Sequence, residues 1–341
     1  MSCYRPGKEP ICTGCNRNPI RDRNAKRCVQ CSREPNWFLV DEPKPVSSEY
    51  EQAWHEWQRF IGQAKDRYAG PSKRPVRIGR QKILIASDFH GAFMAKEAVA
   101  AMFAKDGDAD LAIFAGDTLD FYAISRFLKY EHIPIESEAA AVTLLFEQAS
   151  QTFPRVIVVE GNHDKPRFEK QLLDRLPQEM VNVVRYLAGG DLSLVSAIAK
   201  RFPNIEIAKH DVPGTHPVGW FTQVNDLVVT HAEKFSRVPG STLRGIEEWL
   251  SDFERTLDLK PWRVVVQAHT HQLGIFPWHA DRMLVESGCM CQTHAYQVGA
   301  KIGGRPQRRG WIVLEQIDGR TDMNSIRMHW HDAEASNGEA A

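Results

Sequence analysis

Carboxylate and imidazole side chains follow short apolar runs at five places along this chain. In the first, KILIASDFH, Asp88 and His90 come just after the run that contains Ile85. Side chains at positions i and i+2 of an extended segment share a face, so both could approach one cation. Ligands gather at the carboxyl ends of strands in open α/β sheets. The spacing therefore indicates a metal site.

The same form recurs four more times, and the recurrence gives the pattern its weight. Each later unit is an apolar run, then small residues, then a hard or borderline metal ligand. The candidate ligands of these units are Asp117, Asn162 with His163, His231, and His269 with His271. Taken singly, each unit is better explained as a buried strand followed by a polar turn. Five in order favour a shared site.

The ordered set D-x-H, G-D-x-x-D, G-N-H-D, a lone His and A-H-T-H resembles the calcineurin-like metallophosphoesterase superfamily over roughly residues 82–316. Only the Gly often found before the last H-x-H is replaced, here by Ala268. The resemblance implies an α/β fold, a β-sandwich flanked by α-helices with metals at the strand ends. It also implies a phosphoesterase with two divalent metal ions, in which a metal-bridging hydroxide attacks phosphorus in line.

The resemblance further implies a role for each candidate residue. Asp88, His90 and His271 would hold the first metal, Asn162, His231 and His269 the second, and Asp117 would bridge them. This donor set suits Mn²⁺, Fe²⁺ or Zn²⁺. His163 would stabilise the transition state or protonate the leaving oxygen, and Asp164 would orient His163 by accepting from its ring nitrogen. Asp120 would support the site or cap a helix.

The substrate class is narrowed by two departures from the protein phosphatase branch of the superfamily. That branch continues its second motif as G-D-x-V-D-R-G and ends its third in Glu, whereas this chain has GDTLDFY and GNHD. The departures favour the branch that includes nucleases, cyclic-nucleotide phosphodiesterases and nucleotide hydrolases. The segment FYAISRFLKYEH resembles phage and prophage members of that branch.

Four arginines are candidates for substrate contacts. Arg126 would clamp a substrate phosphate, or is an exposed helix residue. Arg305, Arg308 and Arg309 belong to a Gly-rich basic loop, KIGGRPQRRG, which would grip a nucleic-acid backbone or form a solvated hairpin.

Four cysteines near the start, Cys12, Cys15, Cys28 and Cys31, form two C-x2-C pairs separated by twelve residues. Four thiolates at this spacing predict one structural zinc ion, because so short a segment cannot build a hydrophobic core. Two disulfides are the alternative, which a reducing compartment disfavours. The loop between the pairs is basic, so this zinc ribbon would contact nucleic-acid phosphates. The alternative is a solvated basic surface on a ribbon that contacts a protein or the catalytic domain of this chain.

Length and charge describe the rest of the chain. Its 341 residues carry 43 basic and 43 acidic side chains, so any attraction to nucleic acid must be local. The N-terminus lacks an apolar signal region and the sequence has no apolar run of membrane length, which predicts a cytoplasmic protein without a membrane segment.

We predict four segments. They are a zinc ribbon at 1–35, a linker with an amphipathic aromatic helix at 36–80, the phosphoesterase domain at 81–331, and a disordered tail at 332–341. The aromatic helix would pack on the catalytic domain, or else serve self-association or stack on bases. In the domain, helices are expected at 92–105, 121–129, 136–152 and 243–257, with late strands at 282–287, 310–317 and 324–330.

Three functions are compatible with these patterns. The first is a phosphodiesterase or nuclease acting on nucleic acid, with the ribbon as a docking module. The second is hydrolysis of a small phosphoester or nucleotide. The third is a binding protein with an inert metal centre, against which the complete ligand set argues.

Overall fold

The computed structural model describes residues 55–56, 59, 79–125, 133–171, 176–187, 193–212, 217–236, 238–293 and 307–331. The four cysteines of the predicted zinc ribbon lie outside these ranges. So does most of the predicted aromatic helix, of which residues 55–56 and 59 are helical. The fold below is that of the described part of the predicted phosphoesterase domain.

Strands make up most of the regular structure. In chain order they are β1 (Arg80–Ala86), β2 (Leu111–Ala115), β3 (Val156–Val159), β4 (Ile205–Ile207), β5 (Phe221–Val224), β6 (Leu227–Thr230), β7 (Val264–Gln267), β8 (Leu273–Trp278), β9 (Arg282–Ser287), β10 (Gly310–Ile317), β11 (Arg320–Thr321) and β12 (Arg327–Trp330). The late strands predicted at 282–287 and 310–317 are confirmed. The one predicted at 324–330 begins at Arg327, because Met323–Ser325 forms a 3-10 turn.

The strands form two sheets. The first has the order β11-β10-β1-β2-β3-β4, with β12 also paired to β10. The second has the order β5-β6-β7-β9-β8. Strands β1 to β4 are parallel to one another, as are β6, β7 and β9. The carboxyl ends of the parallel strands in each sheet therefore meet at one edge of that sheet.

The core lies where the inner faces of the two sheets pack together. Alternate residues of the strands supply it, as expected when side chains at i and i+2 share a face. The buried residues of this cluster include Ile83, Ile85, Leu111, Ile113, Ile157, Val159, Leu227, Val229, Val264, Val266, Val285, Ile312 and Leu314. The two-sheet sandwich implied by the sequence resemblance is confirmed.

Helices cover the outer faces of the sheets. They are α1 (Lys96–Asp106), α2 (Ile135–Thr152), α3 (Phe168–Gln171), α4 (Gln178–Leu187), α5 (Leu194–Ala199) and α6 (Ser241–Phe253). Helix α6 packs Leu243, Ile246 and Leu250 against Val228 and Val265 of the second sheet. The described helices are not long and apolar enough to cross a membrane.

Two predicted helix starts were wrong. Helix α1 begins at Lys96 rather than at residue 92, because Gly91–Phe93 is a 3-10 turn and Met94 bridges to Cys291. The helix expected from residue 121 is, as far as residue 125, only the 3-10 turn Tyr122–Ile124. Phe121 has a left-handed φ of 52°, which an α-helix cannot include.

A buried carboxylate joins the two sheets through the turn between β5 and β6. The Asp226 side chain accepts from the backbone N–H of Thr321 at 3.0 Å and from its hydroxyl at 2.6 Å. It also accepts from the Gln316 amide at 3.3 Å. These donors belong to β10 and β11 of the first sheet, so one side chain satisfies polar groups from both halves of the sandwich.

We expect Asp226→Ala to lower the free energy of unfolding by about 2 kcal/mol, because buried donors on Thr321 lose their acceptor. Urea denaturation measures the change. The matched control is Asp281→Ala, which removes an exposed carboxylate and should leave stability within about 0.5 kcal/mol. Equal effects of the two substitutions would contradict this role for Asp226.

Candidate metal centre

The seven candidate metal ligands follow the ends of five strands. Asp88 and His90 come after β1, Asp117 after β2 and Asn162 after β3. In the second sheet His231 comes after β6, and His269 and His271 come after β7. Because β1 to β3 are parallel in the first sheet and β6 and β7 in the second, the turns of each sheet lie at one edge. The two sets of ligands meet there.

The turns are built on left-handed backbone rather than on extended strand. Asp88, His90, Asp117, His269 and His271 have φ of 54°, 51°, 50°, 69° and 54°. The i, i+2 pairs predicted from strand alternation do converge, but by turning, since β1 already ends at Ala86. Asp and His adopt this region more readily than most residues do. Strain of this kind clusters at functional sites.

One half of the cluster contains Asp88, His90 and His271. His271 Nε2 lies 3.2 Å from Asp88 Oδ1 and 3.2 Å from His90 Nε2. All three side chains are buried. Asp88 Oδ2 accepts from the Ser87 hydroxyl at 2.6 Å and from the His269 N–H at 3.1 Å. These bonds leave Oδ1 facing the His271 imidazole.

The other half contains Asn162, His231 and His269. His231 Nε2 lies 3.2 Å from Asn162 Oδ1, and His231 Nδ1 donates to the Ala115 carbonyl at 2.7 Å. The donation fixes the ring so that Nε2 faces the site. His269 shares a cluster with His231 and Asp117 in which the ligand atoms lie within 4.8 Å of one another.

Asp117 lies between the two halves. Its Oδ2 is 3.3 Å from His231 Nε2 and 3.9 Å from His90 Nε2, while its Oδ1 accepts from the His163 N–H at 2.8 Å. This position matches the bridging role that the sequence resemblance implies. A side chain on residue 116 would collide with the His231 ring, so Gly116 is needed for the approach of the two sheets.

These residues fit a pair of divalent cations. Asp88 Oδ1 is buried and makes no hydrogen bond of normal geometry in the described structure, although His271 Nε2 lies 3.2 Å away, and this is costly for a carboxylate unless a cation faces it. In the polypeptide alone, burial lowers the pKa of His231 and His271, but Asp117 and Asp88 outweigh it and raise these values to about 10 and about 9. Without metal, the protons on His231 and His271 therefore lie where metal ions would be bound.

His163 is oriented by Asp120 and not, as predicted, by Asp164. Asp120 Oδ1 lies 2.8 Å from His163 Nδ1 and 3.0 Å from His90 Nδ1. Both imidazoles therefore donate from Nδ1 to one carboxylate oxygen, which orients Nε2 of His90 toward His271 Nε2 and the other candidate ligands. Burial raises the pKa of Asp120, but the two histidines outweigh it and the net shift is strongly downward.

Asp164 instead holds two of the ligand-bearing turns together. Its oxygens accept from the backbone N–H groups of Leu119 at 2.9 Å and Gly161 at 2.8 Å. These groups belong to the turns after β2 and β3, next to Asp117 and Asn162. Burial, and then the charge of Asp117, raise the pKa of Asp164. Asp164 thus stabilises the backbone of these two turns and does not orient His163.

The sequence reasoning missed three residues that contact this assembly. Arg167 donates from Nη1 to the Asp120 carbonyl at 2.8 Å, and its Nη2 lies 2.7 Å from His163 Nε2. Glu138, on α2, accepts from the N–H groups of residues 120 to 122. The Gln307 amide contacts His271 Nδ1. Only Arg167 had a local signal, since it lies four residues after His163.

The predicted substrate arginines separate into two groups. Arg126 and Arg305 lie outside the described residues. Arg308 is exposed, and its N–H donates to the His271 carbonyl at 2.9 Å. Arg309 is half-buried, and its carbonyl accepts from the His331 N–H at 3.0 Å. The described end of the basic loop therefore contacts the candidate metal centre at His271 through Arg308.

Solved structures similar to this chain share little sequence with it. They include a metallophosphoesterase from Sphaerobacter thermophilus (12% identity, TM-score 0.35, covering 74% of this chain and 88% of that one). A protein serine/threonine phosphatase from Saccharomyces cerevisiae has 15% identity and a TM-score of 0.35, covering 89% of this chain and 95% of that one. Vacuolar Protein Sorting 29 from Cryptosporidium parvum has 12% identity and a TM-score of 0.35, covering 74% and 98%. Scores this low support no inference about substrate.

Comparison with curated proteins finds no match. The family model for calcineurin-like phosphoesterases matches residues 81–287, which is more than half of the chain. The matched range contains all seven candidate ligands, His163, Asp120 and Arg167. This chain belongs to the calcineurin-like phosphoesterase family and is a metal-dependent phosphoesterase.

Proposed function

We propose that this phosphoesterase is a phosphodiesterase that hydrolyses nucleic acid. The observation that carries the proposal is an exposed arginine and tryptophan pair fixed beside the metal centre. The Arg308 guanidinium lies over the Trp330 ring, 5.3 Å from its centroid, and 61% of Trp330 is exposed. Basic groups interleaved with aromatic rings suit a phosphate backbone carrying unstacked bases.

The backbone of Arg308 ties this pair to the candidate ligand set. Its N–H donates to the carbonyl of His271, and Gln307 beside it contacts the His271 ring. A phosphate bound by Arg308 would therefore be held close to one bound at the cations. A polymer substrate has such a second phosphate, and a phosphomonoester does not. This geometry favours the polymer over the small-phosphoester alternative.

The seven ligands would hold two divalent cations with Asp117 between them. Such a pair supplies an acidified water and neutralises charge that develops on the phosphoryl group. Asp88 and His271 would hold one cation with His90, while Asn162, His231 and His269 would hold the other. The native metals are proposed as Mn²⁺, Fe²⁺ or Zn²⁺, because no thiolate belongs to the proposed set.

His163 and Arg167 would handle the leaving oxygen together. A guanidinium only donates, so His163 Nε2 accepts from Arg167 Nη2 while Nδ1–H donates to Asp120. In this arrangement both ring nitrogens of His163 are engaged, so Arg167 rather than His163 would donate to a substrate oxygen. Proton donation by His163 requires that Nε2 first gain a proton and that Arg167 turn to another acceptor, which a bound phosphate provides.

The four N-terminal cysteines are proposed to bind one structural zinc ion. The basic loop between Cys15 and Cys28 would then be a docking element for nucleic acid, or for a protein. We also propose a cytoplasmic location.

The proposed substrate class can be tested with model esters and polynucleotides. With Mn²⁺ added, the protein should cut single- or double-stranded DNA or RNA and hydrolyse bis-p-nitrophenyl phosphate faster than p-nitrophenyl phosphate. Asp117→Asn should lower both activities by at least about a hundredfold, because the bridging carboxylate is lost. Gel assays and absorbance measure these rates. Turnover of small esters alone would support the small-molecule alternative, and no turnover would support an inert binding protein.

The role of Asp120 in orienting two histidines can be tested by substitution. Asp120→Asn replaces the carboxylate that accepts from both His90 and His163 with a neutral amide, whose oxygen forms weaker hydrogen bonds because it carries no negative charge. We expect a loss of about 10–100-fold in metal affinity or activity, as for other groups that orient ligands. Isothermal titration with Mn²⁺ and steady-state kinetics measure both. Asp258→Asn, at an exposed left-handed turn, is the control that should change neither.

The exposed pair of Arg308 and Trp330 can be tested by oligonucleotide binding. Arg308→Ala should weaken binding of a single-stranded oligonucleotide and lower the slope of log affinity against log salt by about one. Trp330→Ala should weaken binding by about 1–3 kcal/mol with little change in that slope. Arg320→Ala removes an exposed arginine at the opposite end of β10, so it serves as the control. Equal losses in all three variants would argue against a localised contact.

A further inference from the structure

A cavity of about 840 Å³ opens beside the second half of the metal centre. Asn162 and His231 line it on the side of the candidate ligands, and Trp220, Trp249 and Phe253 line it elsewhere. The volume falls within the range of about 300–1,000 Å³ usual for sites that bind small molecules. It is much larger than one phosphate group requires.

The aromatic residues form a continuous wall. Trp249 and Phe253, four residues apart on α6, stack with ring centroids 4.6 Å apart and an interplanar angle of 21°. Trp220 meets Trp249 edge-on at 5.4 Å. Trp249 is 39% exposed and Phe253 41% exposed, although the neighbouring face of α6 is buried in the core. Each of these two rings covers one face of the other, and the parts that remain exposed are available to a planar group.

The wall is fixed relative to the metal centre. The N–H of His231 donates to the Trp220 carbonyl at 2.8 Å, and the N–H of Glu160 donates to the Gly219 carbonyl at 2.8 Å. One backbone bond thus links a candidate metal ligand to the first aromatic residue. A group that stacks in the cavity has a defined position with respect to a phosphate at the cations.

Charge decides what kind of group suits the cavity. Its lining includes the ammonium groups of Lys165 and Lys234 and the carboxylates of Glu160, Glu169 and Glu233. Carboxylates outnumber ammonium groups by one, so the cavity itself does not attract a second anion. Mixed donors and acceptors around aromatic faces suit a neutral planar ring with a hydrogen-bonding edge.

We propose that this cavity binds the base of the nucleotide next to the scissile phosphate. The proposal rests on the proposed function for the identity of the phosphoester, and it assigns substrate recognition to Trp249 and Phe253. An acyl chain could not form hydrogen bonds with the polar residues of the lining, and a phosphorylated sugar would be repelled by the excess of carboxylates. A nucleobase can stack on the aromatic rings of the cavity and can form hydrogen bonds with its polar residues. It is also neutral, so it does not need a net positive charge in the cavity.

The test uses nucleosides, because they carry no phosphate and cannot be hydrolysed at the metal centre. Adenosine, guanosine, cytidine and uridine are titrated into the full chain and followed by saturation-transfer NMR and tryptophan fluorescence. We expect saturation to be greater on base protons than on ribose protons for at least one nucleoside. Trp249→Ala should weaken that binding about tenfold, as for other stacking residues.

Milder substitutions guard against loss of folding. Trp249→Phe keeps a ring and should restore most of the affinity, while Phe253→Leu should reduce it. Tyr186→Ala, which removes an aromatic side chain that is 85% exposed and outside the cavity lining, should bind nucleosides as the parent protein does. Thermal unfolding checks each variant.

The proposal is overturned if no nucleoside binds, or if Trp249→Ala binds as tightly as the parent. Binding of phenyl phosphate or a lysophospholipid without nucleoside binding would also overturn it, in favour of another planar or acyl ligand. Nucleoside binding without cleavage of any polynucleotide would leave the cavity assigned and refute the nuclease function. If a polynucleotide is cut at the same rate by the parent and by Trp249→Ala, and no nucleoside binds, the nuclease function stands and the cavity proposal is refuted.

Discussion

The buried carboxylate of Asp117 is shared by groups from both sheets, and the site depends on it. One of its oxygens faces His231 from the second sheet and His90 from the first, and the other accepts the His163 N–H. Burial alone would raise its pKa, but the surrounding histidines hold the pKa well below its ordinary value. A buried negative charge without such partners would be strongly destabilising. The left-handed turns around it supply those partners.

A second layer of carboxylates holds this arrangement in place. Asp120 receives two imidazoles on one oxygen, and Glu138 receives three successive backbone N–H groups from the loop that carries Asp120. Burial, and then the charge of Asp120, raise the pKa of Glu138 to about 7. Because Glu138 belongs to α2, the helix layer is coupled to the orientation of His90 and His163. Helix α2 therefore contributes to the geometry of the site as well as to the core.

The surroundings of the metal centre differ in chemistry on its two sides. At His271 the exposed Arg308 and Trp330 present a positive charge on an aromatic ring. At Asn162 and His231 the neighbouring cavity has aromatic walls with more carboxylates than ammonium groups. A charged backbone suits the first surface and a neutral base suits the second. A phosphodiester between two nucleosides has both parts, which is why the two proposals support one substrate.

The sequence by itself determined the family, the two-sheet fold and the set of ligand-bearing turns, because each turn combines a local apolar run with a local ligand. It did not determine the contacts between turns. The spacing of Asp164 directly after His163 suggested a pair, yet backbone geometry directs Asp164 to Leu119 and Gly161 and brings in Asp120 from another strand. Glu138 and the aromatic wall of Trp220 and Trp249 likewise carry no local signal. Their roles arise from packing between segments distant in sequence, and only the tertiary structure decides which distant segments meet.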